Sequence, residues 1–151
     1  RVLVVDVDVH QGNGTAAIFA GDDDTFTYSI HQENNYPFKE RSDLDRGLPD
    51  GIDDEAYLAL LARDLDRIDE DEAFEPDLGW YLAGVDPYER DQLGGLALTA
   101  EGLRRRDELV LGRYAAAGRP IAISLAGGYA PSPRETAELH MGTVRVAEEL
   151  N

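Results

Sequence analysis

The sequence predicts an α/β domain: a mainly parallel sheet flanked by helices on both faces. Four short apolar or β-branched runs recur along its 151 residues, and helical patterns fall between them. Residues able to do chemistry follow three of those runs at their carboxyl ends, the edge where open parallel sheets bind ligands.

Taken in order, residues 2–5 (VLVV) are an unbroken apolar run, the pattern of a strand buried on both faces. Asp6, Asp8 and His10 follow at alternate positions, so an extended backbone sends all three to one side of the strand's end. Two carboxylates and an imidazole converging there are costly to bury unless a divalent cation compensates them. A glycine-punctuated turn leads into a short helix over 14–20, and residues 25–30 give the second strand. Residues 31–52, rich in charges, aromatics and prolines, read as one long loop, a length usually tied to function. Within 53–71, Tyr57, Leu60, Leu61, Leu65 and Ile68 share one helical face. Strand 80–83 runs into Gly84-Val85-Asp86-Pro87-Tyr88, which sets Asp86 at a second tip. Thr99 N-caps a helix reaching Ala117, closed by Gly118 and Pro120. Strand 120–125 ends in Ala126-Gly127-Gly128-Tyr129, a turn that hangs a phenol over the same edge. Ser132-Pro133-Arg134-Glu135 reads as a capping box opening the last helix, through Leu150. Tyr57, Trp80 and Tyr114 read as packed against the sheet, whereas Tyr36, Pro37, Phe38 and Tyr88 suit a rim or anchoring role.

Composition narrows the function classes. With 42% hydrophobic residues the chain can bury a real core. No run approaches the roughly 18 apolar residues of a membrane span, and no secretory signal is visible. Cysteine is absent, so a metal must take oxygen and imidazole ligands, and a cytoplasmic setting is expected. The formal net charge of −17 argues against nucleic-acid binding through a basic face, and it fits either cationic substrates or a salty cytoplasm. Arg104, Arg105 and Arg106 are the one basic cluster, expected on the solvated face of their helix.

DVDVH alone leaves several readings open. A calcium loop needs glycine at its sixth position and glutamate at its twelfth, where this chain has Gln11 and Ala17. A haloacid-dehalogenase-like phosphatase would use Asp6 as nucleophile and Asp8 as general acid. It would also need a downstream lysine and an acidic pair, for which only Lys39, Asp86 and Asp91 are available. A packed strand end with no chemistry is the structural alternative.

Three segments together resemble the histone deacetylase family. VLVVDVDVHQGNGT is similar to that family's metal-binding strand and turn, YLAGVDPYERDQLGGLALT to the segment with its third metal ligand, and LAGGYA to its glycine–tyrosine loop. HQGNG and LGGLALT are most similar to class IV-like and bacterial members. The resemblance implies the arginase/deacetylase fold and a zinc-dependent hydrolase, with ferrous iron as the second metal, acting on acylated lysine in a protein or peptide, or on an acylated polyamine. It implies Asp8, His10 and Asp86 as metal ligands and Tyr129 as the oxyanion-stabilising phenol. Asp6 and Asn13 would orient active-site histidines, Asp6 and Ser29 would bind a structural potassium ion, and Gly127, Gly128 and Leu93 would line the acyl pocket. The family's catalytic histidine pair lies before the metal strand, and His10, His31 and His140 are the three histidines here. Residues 1–151 are therefore expected to be the carboxyl-terminal portion of one deacetylase domain, incomplete on its N-terminal side and inactive alone. A metal-binding α/β fragment with no activity is the further alternative.

Overall fold

The computed structural model describes residues 1–71 and 73–150. In chain order its elements are β1 (Val2–Asp6), α1 (Asn13–Ile18), β2 (Thr25–Gln32), β3 (Leu44–Leu48), α2 (Asp54–Asp69), β4 (Leu78–Ala83), α3 (Ala100–Ala117), β5 (Ile121–Leu125) and α4 (Pro133–Glu149). The strands form one parallel sheet in the order β3-β2-β1-β4-β5. Its centre is β1, where Val5 pairs with Tyr28 on one side and Tyr81 on the other. The chain leaves β1 toward β2 and β3, then returns to β4 on the opposite flank. A crevice therefore opens between the ends of β1 and β4, the topological switch point at which such sheets bind ligands.

Residues 31–52 are not a single loop, since they contain β3. LDRGL escapes a hydrophobic pattern because β3 is an edge strand, where charges and glycine guard against unwanted pairing. Its charges are spent locally: Asp45 accepts from Gln11, and Arg46 grips Asp64 of α2.

Helices lie on both faces, but unevenly. The face bearing Tyr28, Gly79 and Tyr81 is covered by α2, α3 and α4. Tyr28 donates to Asp64, Tyr114 fills the space over Gly79, and Tyr81 donates to Asp107. Tyr57 and Tyr114 are buried in this layer. The other face carries the short α1, and Trp80 stands on it 48% exposed instead of packed.

Most helix ends follow the cap residues. Asp53 accepts from Ala56 N, Thr99 Oγ1 from Gly102 N, and Gly118 closes α3 at φ 63°. Ser132 Oγ accepts from Glu135 N, but the Glu135 carboxylate accepts from Tyr88 and Arg90 instead of completing the box. Arg106 is the clearest departure, being fully buried and not on a solvated face. Its guanidinium donates to Asp107 Oδ1 and, through Nη1, to the Gly84 carbonyl at 2.6 Å. Asp107 also accepts from Tyr81 and from Thr143 of α4, so one buried ion pair ties β4, α3 and α4 together.

Candidate metal centre

Beyond Asp6, the β1 backbone continues past the sheet's edge and carries Asp8 and His10 into the crevice. From β4, Gly84 lets the two tips approach: a Cβ there would lie 2.7 Å from Asp8 Oδ2. Asp86 is fully buried, and its Oδ1 accepts from Val9 N at 2.8 Å. Asp8 Oδ1 accepts from His10 N at 3.0 Å, and Asp8 Oδ2 accepts from Gly127 N of the β5 tip at 2.8 Å. Three strand tips are thus laced together by backbone N–H groups donating to two carboxylates.

What those bonds leave unused is informative. His10 Nδ1 lies 3.0 Å from Asp8 Oδ1 and 3.3 Å from Asp86 Oδ2. Apart from that ion-pair contact, Asp86 Oδ2 is buried without a hydrogen-bond donor, a costly state for a carboxylate oxygen. Among the described residues, Asp8, His10 and Asp86 are the one group whose ligand atoms converge, all within 4.8 Å of one another. Two carboxylates and an imidazole suit a divalent cation, leaving positions open for water and substrate.

The electrostatics show how closely these charges are set against one another. The Asp86 carboxylate, helped by Asp8 and opposed by burial, holds the His10 imidazolium up to about 9. Burial, and next the Asp8 charge, push Asp86 up to about 6 against the pull of His10. Asp6, buried beneath the cluster, is pushed by desolvation to about 8, although its Oδ1 accepts from Asp8 N.

The other expected residues surround this cluster at different distances. Tyr129 is 55% exposed on the same edge, directly after Gly127 and Gly128. Leu93 is also exposed, and its carbonyl accepts from Asn35. Asp6 and Ser29 are register partners on β1 and β2, with Ser29 Oγ 3.0 Å from His31 Nδ1 and 3.4 Å from Gly12 N. Asn13 turns its amide to the Phe38 carbonyl. Tyr88 donates to Glu135, away from the cluster. His31 is buried on Ser29, and His140 is half-buried behind Gly128. Lys39 Nζ donates to the Gln32 and Asn35 carbonyls, which leaves the phosphatase reading without its lysine at Asp6 and Asp8. Two further residues stand near the cluster, Tyr36, expected at a rim, and Asp91, expected only as an acid of the phosphatase alternative. Tyr36 stands edge-on to the His10 ring with centroids 6.3 Å apart, and Asp91 bridges two loops. The Asp91-Gln92-Leu93-Gly94-Gly95 turn was the available signal for the latter's bridging role.

Comparison with known proteins gives a consistent picture. A family model described as the histone deacetylase domain matches residues 1–144. An uncharacterized protein of Picosynechococcus is 48% identical over 151 residues, covering 99% of this chain and 50% of that protein. Histone deacetylase 2 of Arabidopsis thaliana is 30% identical, over 87% of this chain and 35% of its own length. Among solved structures, the acetylpolyamine aminohydrolase of Burkholderia pseudomallei superposes with a TM-score of 0.81 at 25% identity, covering 99% of this chain and 45% of that one. The chain spans half or less of the length of these proteins. Sequence and fold agree along nearly all of it, and the chain belongs to the histone deacetylase family.

Proposed function

We propose that this chain supplies the metal-binding part of a zinc-dependent hydrolase that removes acyl groups from acylated lysine side chains or acylated polyamines. The observation that carries this reading is the buried, donorless Asp86 Oδ2 facing His10 Nδ1 and Asp8 at the β1/β4 crevice. Asp8, His10 and Asp86 would hold zinc, or ferrous iron as the second choice, and the ion would supply Lewis acidity to the acyl carbonyl and to attacking water.

The chain's own residues do the rest. Tyr129 donates its phenol proton to the acyl oxygen as negative charge develops there. Gly127 and Gly128 keep the approach open, because a Cβ on Gly127 would strike Asp86 Oδ2 and Asp8 Oδ2. Leu93 and the edge-on Tyr36 flank the acyl chain. Asp6, and more weakly the uncharged Asn13, orient histidines that take up and return the proton. Asp6 and Ser29, neighbours across β1 and β2, would hold a structural potassium ion. The relatives support the substrate class: one is a histone deacetylase, another an acetylpolyamine aminohydrolase. Class IV-like membership and a cytoplasmic setting rest on the HQGNG turn and the absence of cysteine. No helix among the described residues is long and apolar enough to cross a membrane.

His31 is held by Ser29, and His140 lies half-buried behind Gly128 with its Nδ1 unpartnered. Neither belongs to the Asp8–His10–Asp86 group, so residues 1–151 alone should bind metal without deacetylating. The non-catalytic reading is favoured by that observation for the isolated chain only. The test uses the full-length protein carrying this chain, loaded with zinc, on an acetyl-lysine peptide and an acetylated polyamine. Tyr129→Phe should lower kcat by roughly 10²–10³-fold with metal content unchanged, the scale of one oxyanion donor. Unaltered kcat would refute the assignment.

A further inference from the structure

We propose that Asp91 and Gln92 are a positioning pair that clamps the Tyr129 peptide and so sets where its phenol stands over the metal centre. The proposal rests on the reading of Tyr129 as oxyanion donor. It goes beyond that reading by identifying what holds an exposed side chain in place.

Tyr129 lies on a turn after two glycines, the most freely moving backbone available to a catalytic group. Its side chain is 55% exposed, so packing does little to orient it. Its backbone is gripped from both ends by the turn that follows Asp86. Tyr129 N donates to Asp91 Oδ2 at 2.6 Å. In return Gln92 N donates to the Tyr129 carbonyl at 3.0 Å, and Gln92 Nε2 reaches the same oxygen at 3.1 Å and the Ala130 carbonyl at 3.2 Å. Donor and acceptor of one residue are therefore both held by two consecutive residues of another loop.

Asp91 is itself fixed to the metal loop. Its Oδ1 accepts from Leu93 N at 2.8 Å and Gly94 N at 2.9 Å, which turns the chain back on itself. Gly94 then sits so close to the Asp86 carbonyl that no Cβ would fit. One carboxylate thus joins the phenol-bearing turn, the Leu93 wall and the loop of the buried ligand Asp86. An aspartate is suited to this because its two oxygens accept three N–H groups while donating nothing. Asparagine would turn an N–H₂ toward one of those donors.

The clamp can be read directly and through activity. In the 151-residue chain, hydrogen exchange at the Tyr129 amide should speed at least about tenfold in Asp91→Asn, because an amide loses a charge-assisted bond. In the full-length zinc enzyme, Asp91→Asn should lower kcat by about 10- to 100-fold with KM within threefold and zinc content unchanged, the cost of misplacing a catalytic group by about an ångström. Gln92→Ala, which keeps its backbone N–H, should fall in the same direction by less and guards against misfolding of the first variant. Acting through Tyr129, Asp91→Asn should add little in a Tyr129→Phe background. Multiplicative losses in the double variant, an unchanged exchange rate or an unchanged kcat would overturn the clamp. Should Tyr129→Phe alone leave kcat intact, the oxyanion reading fails and the clamp's catalytic role falls with it. Loss in Tyr129→Phe but none in Asp91→Asn would remove the clamp alone.

Discussion

Replacing Gly127 with alanine should disable the metal centre without touching a ligand. The added Cβ would stand 2.6 Å from Asp8 Oδ2 and still closer to Asp86 Oδ2, where ordinary contact begins at 3.4 Å. Both carboxylates of the proposed ligand set must then shift by the better part of an ångström, or the turn must retreat. Retreat breaks the bonds from Gly127 N to Asp8 Oδ2 and from Val85 N to the Gly127 carbonyl, so neither path is free. Removing an outer partner from a metal site costs about 10–100-fold in affinity, and displacing ligands themselves should reach the upper end. Overpacking should also destabilise the chain by about 1–3 kcal/mol. Gly142→Ala in α4 is the control, since nothing lies within 4 Å of its added methyl. It should leave zinc affinity alone and stabilise the helix by up to about 1 kcal/mol. Zinc titration by calorimetry, with denaturant melts of both metal-free variants, measures both quantities. A Gly127→Ala affinity within threefold of the parent would refute the placement of the ion between these carboxylates.

The metal-free chain should lose stability as pH rises from 7 to 9. Asp6 at about 8 and His10 at about 9 both bind protons in the fold that the unfolded chain has already released. His31 and His140 are shifted down by burial, and their opposite effect is complete below this window. Urea midpoints at the two pH values, with chelator, check the sign; a rise would contradict it. Zinc must displace the His10 proton, so its apparent affinity should climb about tenfold per pH unit from 7 to near 9. Competition titrations that show a pH-independent affinity would exclude Nδ1 as a ligand. Asp107→Ala should cost about 3–5 kcal/mol in urea melts, because it strands the buried Arg106 charge. An exposed partner such as Arg104→Ala should cost under about 1 kcal/mol, and equal losses would mean the buried pair adds nothing special.

The alternation of Asp6, Asp8 and His10 after an apolar run was enough to place Asp8 and His10 together past the end of β1, because strand geometry turns spacing directly into direction. Asp86 was legible through its position just past β4, and the helix caps through Asp53, Thr99, Gly118 and Ser132. Features that depend on neighbours distant in sequence stayed hidden. Strand β3 is held by Asp45 and Arg46 reaching other elements, a pattern without hydrophobic periodicity. Arg106 looks like its two solvated neighbours until Asp107, Gly84, Tyr81 and Thr143 are brought around the pair. Trp80 was expected to be covered, yet the sheet face it occupies carries little besides α1. Asp91 reads as one acid among 31 until the β5 turn arrives beside it.

The central claim is that Asp8, His10 and Asp86 together hold one divalent cation. Zinc bound per chain, measured by elemental analysis after equilibration and desalting near pH 8, tests it most directly. The parent should retain one zinc, and an Asp8→Ala, Asp86→Ala double variant that keeps its helical circular dichroism should retain none. Equal zinc in the folded double variant would place the ion elsewhere and contradict the account.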